Sequence, residues 1–101
     1  MFDKILEAQK KAEEIKSRLD TVSVNAEVEG GKIRVTATAN KMVTSVNIDS
    51  EFLKKCDSEE LEELLLTVIN KVLVQAEQVS QAEMQAATRD MMGGLGNLFG
   101  K

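Results

Sequence analysis

The chain has 101 residues, 43% hydrophobic and 30% charged, with a net charge of −4 and no His, Trp, Tyr or Pro. That is enough for one modest aliphatic core. The lack of His removes the commonest general base and metal ligand, and no apolar run approaches the ~20 residues that span a bilayer.

The periodicity predicts a first helix from about Phe2 to Asp20. Ile5, Ala8, Ala12, Ile15, Leu19 and Val22 follow alternating steps of three and four, a heptad seam that suits pairing with a second copy. With Ile5 at position a, Lys4, Lys11 and Arg18 all fall at position g, and Lys10 and Lys16 lie beside that line. Two readings of this basic edge stay open. It is either a solvated face laced by local pairs, Glu7 with Lys11 and Glu14 with Arg18, or a row of cations available to phosphates. Met1 opens a charged helical pattern, which predicts no secretory signal.

Three strands should follow. Val22, Val24, Ala26 and Val28 alternate with polar residues, as do Ile33, Val35, Ala37 and Ala39, and Gly30-Gly31 supplies a hairpin between them. After a second turn at Asn40-Lys41, Met42, Thr44, Val46 and Ile48 should share one face, with Val43 on the other. This meander is too small to be stable alone, so the flanking helices must cover it. The lone Cys56 suits a reducing cytoplasm, and its neighbours Asp57, Glu59 and Glu60 would raise a thiol pKa, the opposite of a reactive cysteine.

Asp57 with Glu60 reads as a capping box opening a long second helix, with Glu59, Glu60, Glu62 and Glu63 in its first turns. Leu61, Leu64, Leu65, Val68, Ile69, Val72 and Leu73 form its sheet-covering face, and the predicted core is Val35, Val46, Ile48, Leu64, Leu65, Val68 and Ile69. A Gln- and Ala-rich half follows and should project from the body until Gly93-Gly94 ends the helix. The expected organisation is one α-β-β-β-α domain over residues 1–92 and a glycine-rich flexible tail over 93–101; a short hydrophobic docking segment built from Met91, Met92, Leu95 and Phe99 is the alternative. The composition suggests neither metal nor cofactor: the tail glycines have no strand before them and no helix after, and the carboxylates cluster at solvent-face spacing. This argues against an enzyme.

The order and wording of these parts resemble the YbaB/EbfC family of bacterial nucleoid-associated proteins. The likeness rests on the amphipathic opening, Gly30-Gly31-Lys32-Ile33-Arg34-Val35-Thr36, Val46-Asn47-Ile48-Asp49, Leu61-Glu62-Glu63-Leu64 leading to Asn70-Lys71, and the Gly-Leu-Gly tail. The chain departs from the family's usual turn residues at Ala39-Asn40-Lys41 and at Ser50. The resemblance implies an α+β fold, a tweezers-like homodimer, and projecting helices that contact duplex DNA in the nucleoid with low sequence specificity. No short DNA-reading motif carries over residue by residue. Charge and placement select Lys4, Lys10, Lys11, Lys16, Arg18 and Arg89 as phosphate contacts, and Ile5, Ala8, Ala12, Ile15 and Leu19 as the dimer seam. Residues 1–41 hold eight Lys/Arg against seven Asp/Glu, whereas residues 42–101 hold five against ten, so any basic surface belongs to the N-terminal part. The competing reading is a protein-interaction module that grips a partner protein between its projecting helices.

Overall fold

The computed structural model describes the backbone of residues 2–99 and the side chains of residues 3–89. Helix α1 spans Phe2–Asp20, β1 Ser23–Val28, β2 Ile33–Thr38, β3 Val43–Ile48, α2 Ser50–Lys55 and α3 Ser58–Phe99. The strands form one antiparallel sheet in the order β1-β2-β3. The α+β architecture is the expected one.

The first hairpin turns through a short 3-10 segment in which Glu29, Gly30 and Gly31 all have positive φ. Gly30-Gly31 absorbs this where a Cβ would cost free energy. In the second turn Lys41 takes φ 68 while Lys41 N–H donates to the Thr38 carbonyl at 2.9 Å.

Ile33, Val35 and Ala37 of β2 are fully buried, and so is Ala39 just beyond it. From α3, Val68, Val72 and Ala76 meet the sheet at successive steps of four, also without exposed surface. Leu61, Leu64, Leu65, Ile69 and Leu73 flank that stripe and are partly buried against the same core, with Ile48 and Phe52. The small Ala side chains let α3 lie close over the sheet.

Three expectations need correction. In β3, Thr36 pairs with Ser45 but Ala37 pairs with Val43, so Thr44 is the extra residue of a bulge. The bulge moves Val43 to the same side as Val46 and Ile48, the reverse of what strict alternation predicts. Val46 has the predicted facing but is 46% exposed, because α3 lies principally over β1 and β2 and leaves β3 uncovered. Finally, α3 does not end at Gly93-Gly94: its backbone is helical through Phe99. Glycine costs about 1 kcal/mol relative to Ala in a helix interior, a penalty rather than a stop, and no Pro is present to break the helix. The side chains of the tail, including Met91, Met92, Leu95 and Phe99, lie outside the described residues.

Helix α2 was not anticipated. The Asp49 carboxylate caps it by accepting from Phe52 N–H at 2.9 Å, and it turns Phe52 onto the core. Asp57 caps α3 as expected, accepting from Glu60 N–H at 2.8 Å.

The described residues extend over 66 × 25 × 18 Å, with a radius of gyration of 19.4 Å. A compact chain of this length would have a radius near ~13 Å. Helix α3, roughly 63 Å long at 1.5 Å per residue, accounts for the elongation, and its half beyond Ala76 runs past the sheet.

Candidate nucleic-acid interface

Helix α1 is attached to the body at its C-terminal end. Leu19 is 4% exposed and Ile15 half-buried, whereas Ile5, Ala8 and Ala12 are exposed. The predicted seam is therefore divided: its last members pack within the protomer and its first three face outward. Polar contacts reinforce the junction. The Asn40 side-chain amide donates to the Lys16 carbonyl at 2.9 Å and to the Asp20 carboxylate, and Ala39 N–H donates to the Val22 carbonyl at 2.9 Å. Arg18 donates to the Glu83 carboxylate of α3 at 3.2 Å, where α3 has already passed the sheet.

Lys4, Lys10, Lys11, Lys16 and Arg18 are all exposed on α1. Lys4, Lys11 and Arg18 stand about 10 Å apart along its axis, at seven-residue spacing. The local pairs Glu7–Lys11 and Glu14–Arg18 do not form among the described residues, whose ion pairs are Arg18–Glu83, Arg34–Glu27, Lys41–Glu77 and Lys54–Glu51. The four α1 lysines thus carry no carboxylate partner among the described residues. Arg18 is the exception, and its partner lies 65 residues away in sequence. Arg89 is exposed on α3, beside Met84, Gln85 and Thr88 on an open surface depression. The structure brings the five α1 cations together on one helix and places Arg89 on the other projecting helix.

Arg34, Lys41, Lys54 and Lys71 are engaged elsewhere, whereas Lys32 and Lys55 are exposed with no carboxylate partner among the described residues. Arg34 reaches one oxygen of Glu27 through Nε at 3.2 Å and Nη2 at 2.8 Å, and Lys71 Nζ donates to the Glu27 carbonyl at 3.4 Å. Lys41 pairs with Glu77, whose carboxyl is held below its ordinary pKa by the hydrogen bond from Lys41, then by that from Gln81. Sequence reading missed Glu77 and Glu83 as partners of the basic N-terminal part, because no local spacing links them to it.

Helix α1 carries five carboxylates of its own, Asp3, Glu7, Glu13, Glu14 and Asp20, but the acidic cluster of α3 is separated from it. Glu59, Glu60, Glu62 and Glu63 are exposed at the start of α3. Twenty residues of helix, roughly 30 Å, separate Glu63 from Glu83. That exceeds the Debye length of about 8 Å at physiological salt, so the acidic end is largely screened from α1. Cys56 lies at the acidic end. Desolvation and then the nearby Glu60 and Asp57 push its thiol pKa up, the direction its neighbours predicted and the opposite of an activated cysteine.

No group of His, Cys, Asp or Glu among the described residues is arranged to hold a metal ion. None of the described helices is long and apolar enough to cross a membrane.

Known proteins resemble this chain in sequence and in fold. The sequence profile of the YbaB/EbfC DNA-binding family matches residues 1–91. A nucleoid-associated protein of Flavobacterium johnsoniae is 40% identical over 102 aligned positions, covering 98% of this chain and 94% of the relative. One from Clostridium botulinum is 40% identical over 77 positions, covering 76% of this chain and 68% of that protein. The crystal structure of an uncharacterized protein from Helicobacter pylori superimposes with a TM-score of 0.63 at 18% identity, over 77% of this chain and 92% of that one. That likeness is one of fold.

Proposed function

This chain belongs to the YbaB/EbfC DNA-binding family, and we propose that it binds duplex DNA as a homodimer with low sequence specificity, acting in the bacterial nucleoid rather than as an enzyme. The observation that carries this reading is the exposed set Lys4, Lys10, Lys11 and Lys16 on a helix anchored only at its far end. These cations have no carboxylate partner among the described residues, so a phosphate displaces no existing ion pair to reach them. Few Arg and few aromatics leave little means for base-specific hydrogen bonding or stacking, so recognition rests on backbone charge and shape.

A dimer accounts for the apolar surface the protomer leaves open. Met42, Val43 and Val46 on and beside β3, and Leu53 on α2, are all exposed, next to a sheet edge that would otherwise invite pairing. A second copy seated there would bury them and carry two α1 helices, each with its row of cations, on one frame, adding their modest affinities. The open half of the α1 seam, Ile5, Ala8 and Ala12, is the other surface a second copy could use.

Light scattering on Val46→Asp and Ile5→Asp separates these surfaces. Dissociation to about 11 kDa by Val46→Asp alone supports the β3 interface. Dissociation by Ile5→Asp alone moves the interface to the seam. A parent that is monomeric at tens of micromolar refutes the dimer. For DNA, replacing Lys4, Lys11 and Arg18 together by Gln should weaken binding equally on unrelated duplexes, and a triple variant that binds like the parent refutes the basic-helix reading.

A further inference from the structure

We propose that Glu83 is an intramolecular stand-in for a DNA phosphate: it occupies Arg18 in the free protein and yields it to the duplex backbone on binding. The inference rests on the DNA-binding reading above and adds to it a residue that sets affinity from outside the basic helix.

Arg18 completes the line begun by Lys4 and Lys11, yet it alone of the three is engaged by a carboxylate among the described residues. The engagement is light. One guanidinium nitrogen, Nη1, meets one oxygen, Oε2, at 3.2 Å, while the Arg18 side chain keeps 64% of its surface exposed and that of Glu83 33%. Arg34 provides the contrast, with two nitrogens on the Glu27 oxygen across paired strands. Guanidinium donates to carboxylate and phosphate oxygens in the same planar geometry, so one exchanges for the other without a new shape. An exposed pair of this kind is weak enough for a polyanion to displace.

The position of Glu83 also matters. It sits on α3 rather than beside Arg18 on α1, and Glu14, the nearer candidate in sequence, does not take the guanidinium. Once Arg18 turns to a phosphate, the freed Glu83 carboxylate remains close to the DNA backbone and opposes it. Arg18 therefore contributes less to affinity than an unpaired cation would, and part of its salt dependence is cancelled, because the freed carboxylate recruits a cation as the DNA releases one. The base of α1 stays in place throughout, held by buried Leu19 and by the Asn40 contacts to Lys16 and Asp20.

The test is fluorescence anisotropy on a labelled random-sequence duplex, titrated at several salt concentrations with the full chain. The variants are Glu83→Gln, Arg18→Gln, the double variant, and Glu14→Gln as a control of equal charge change. Circular dichroism confirms equal helix content. Glu83→Gln should tighten binding about twofold to fivefold, the range expected for releasing one exposed pair, and steepen the salt slope. In the Arg18→Gln background the same change should gain little, and Glu14→Gln should gain less than Glu83→Gln. A parent that binds the duplex while Glu83→Gln binds no tighter overturns the inference alone. So does an equal gain with and without Arg18, which would make Glu83 a general repulsive charge. A parent that binds no duplex at low salt overturns the DNA-binding reading itself, and this inference with it.

Discussion

Replacing Leu19 by Ala should destabilise the protein more than any other single truncation on α1. Leu19 is 4% exposed, whereas Ile5 at the other end of the same seam is 56% exposed. Leu→Ala removes three carbons, about 2.4 kcal/mol at ~0.8 kcal/mol per buried methylene, and a residual cavity adds to that, within the usual range of about 2–5 kcal/mol. Leu19 lies at a helix end where the chain can partly close the gap, so about 2.5–3 kcal/mol is expected. With a urea m-value of roughly 1.5 kcal/mol/M, the midpoint should fall by about 1.7–2 M. The assay is urea unfolding followed at 222 nm, at one fixed protein concentration because a dimer's midpoint depends on it. Ile5→Ala serves as the comparison and should move the midpoint by no more than about 0.3 M, the scale of an ordinary surface change. A Leu19→Ala midpoint within that same margin would refute the anchoring of α1 by Leu19. Equal losses from both variants would mean that the seam is buried along its whole length by a second copy.

Other consequences can be checked directly. The Glu77 carboxyl is held below its ordinary pKa of 4.5, chiefly by the hydrogen bond from Lys41, so the pair's stabilisation should be full above that value and disappear as pH falls through the lower folded pKa. Urea midpoints of the parent and Glu77→Gln should accordingly differ near neutrality and converge in acid; a gap that widens in acid contradicts the assignment. Ala37 is fully buried beneath α3, so Ala37→Leu should overpack that contact and cost about 1–3 kcal/mol in unfolding free energy, and an unchanged midpoint would show slack where the packing is close. Gly30 has φ +63 with open space where a Cβ would stand, so Gly30→Ala should cost about 1–2 kcal/mol from backbone conformation alone, measured by thermal or urea unfolding.

Local rules sufficed where a residue's environment is set by its near neighbours in sequence. The alternation of Ile33, Val35, Ala37 and Ala39 has period two, and all four are buried; the Asp57 cap and the span of α1 follow from equally local signals. Prediction failed where a distant element decided the outcome. Strict alternation cannot reveal the bulge at Thr44, which shows only when β3 meets β2. The exposure of Val46 depends on which strands α3 crosses, not on anything in β3. Arg18 has an apparent i,i+4 partner in Glu14, yet the fold delivers Glu83 instead. Six-residue α2 is shorter than the window in which helical periodicity can be recognised, and only Asp49 marked it. Of the candidate interface, the cations of α1 were legible as a row, whereas Glu83, the carboxylate that pairs with Arg18, was not.

The most direct test of the DNA-binding account is the affinity of the parent chain for random-sequence duplex as a function of salt. Contacts by the four α1 lysines, or by as few as two of them, predict a plot of log K against log salt with a slope of about −2 to −4 per protomer, the same for unrelated sequences. A folded protein that shows no binding at low salt, or binding indifferent to salt, would contradict phosphate recognition by α1 and favour a protein partner between the projecting helices.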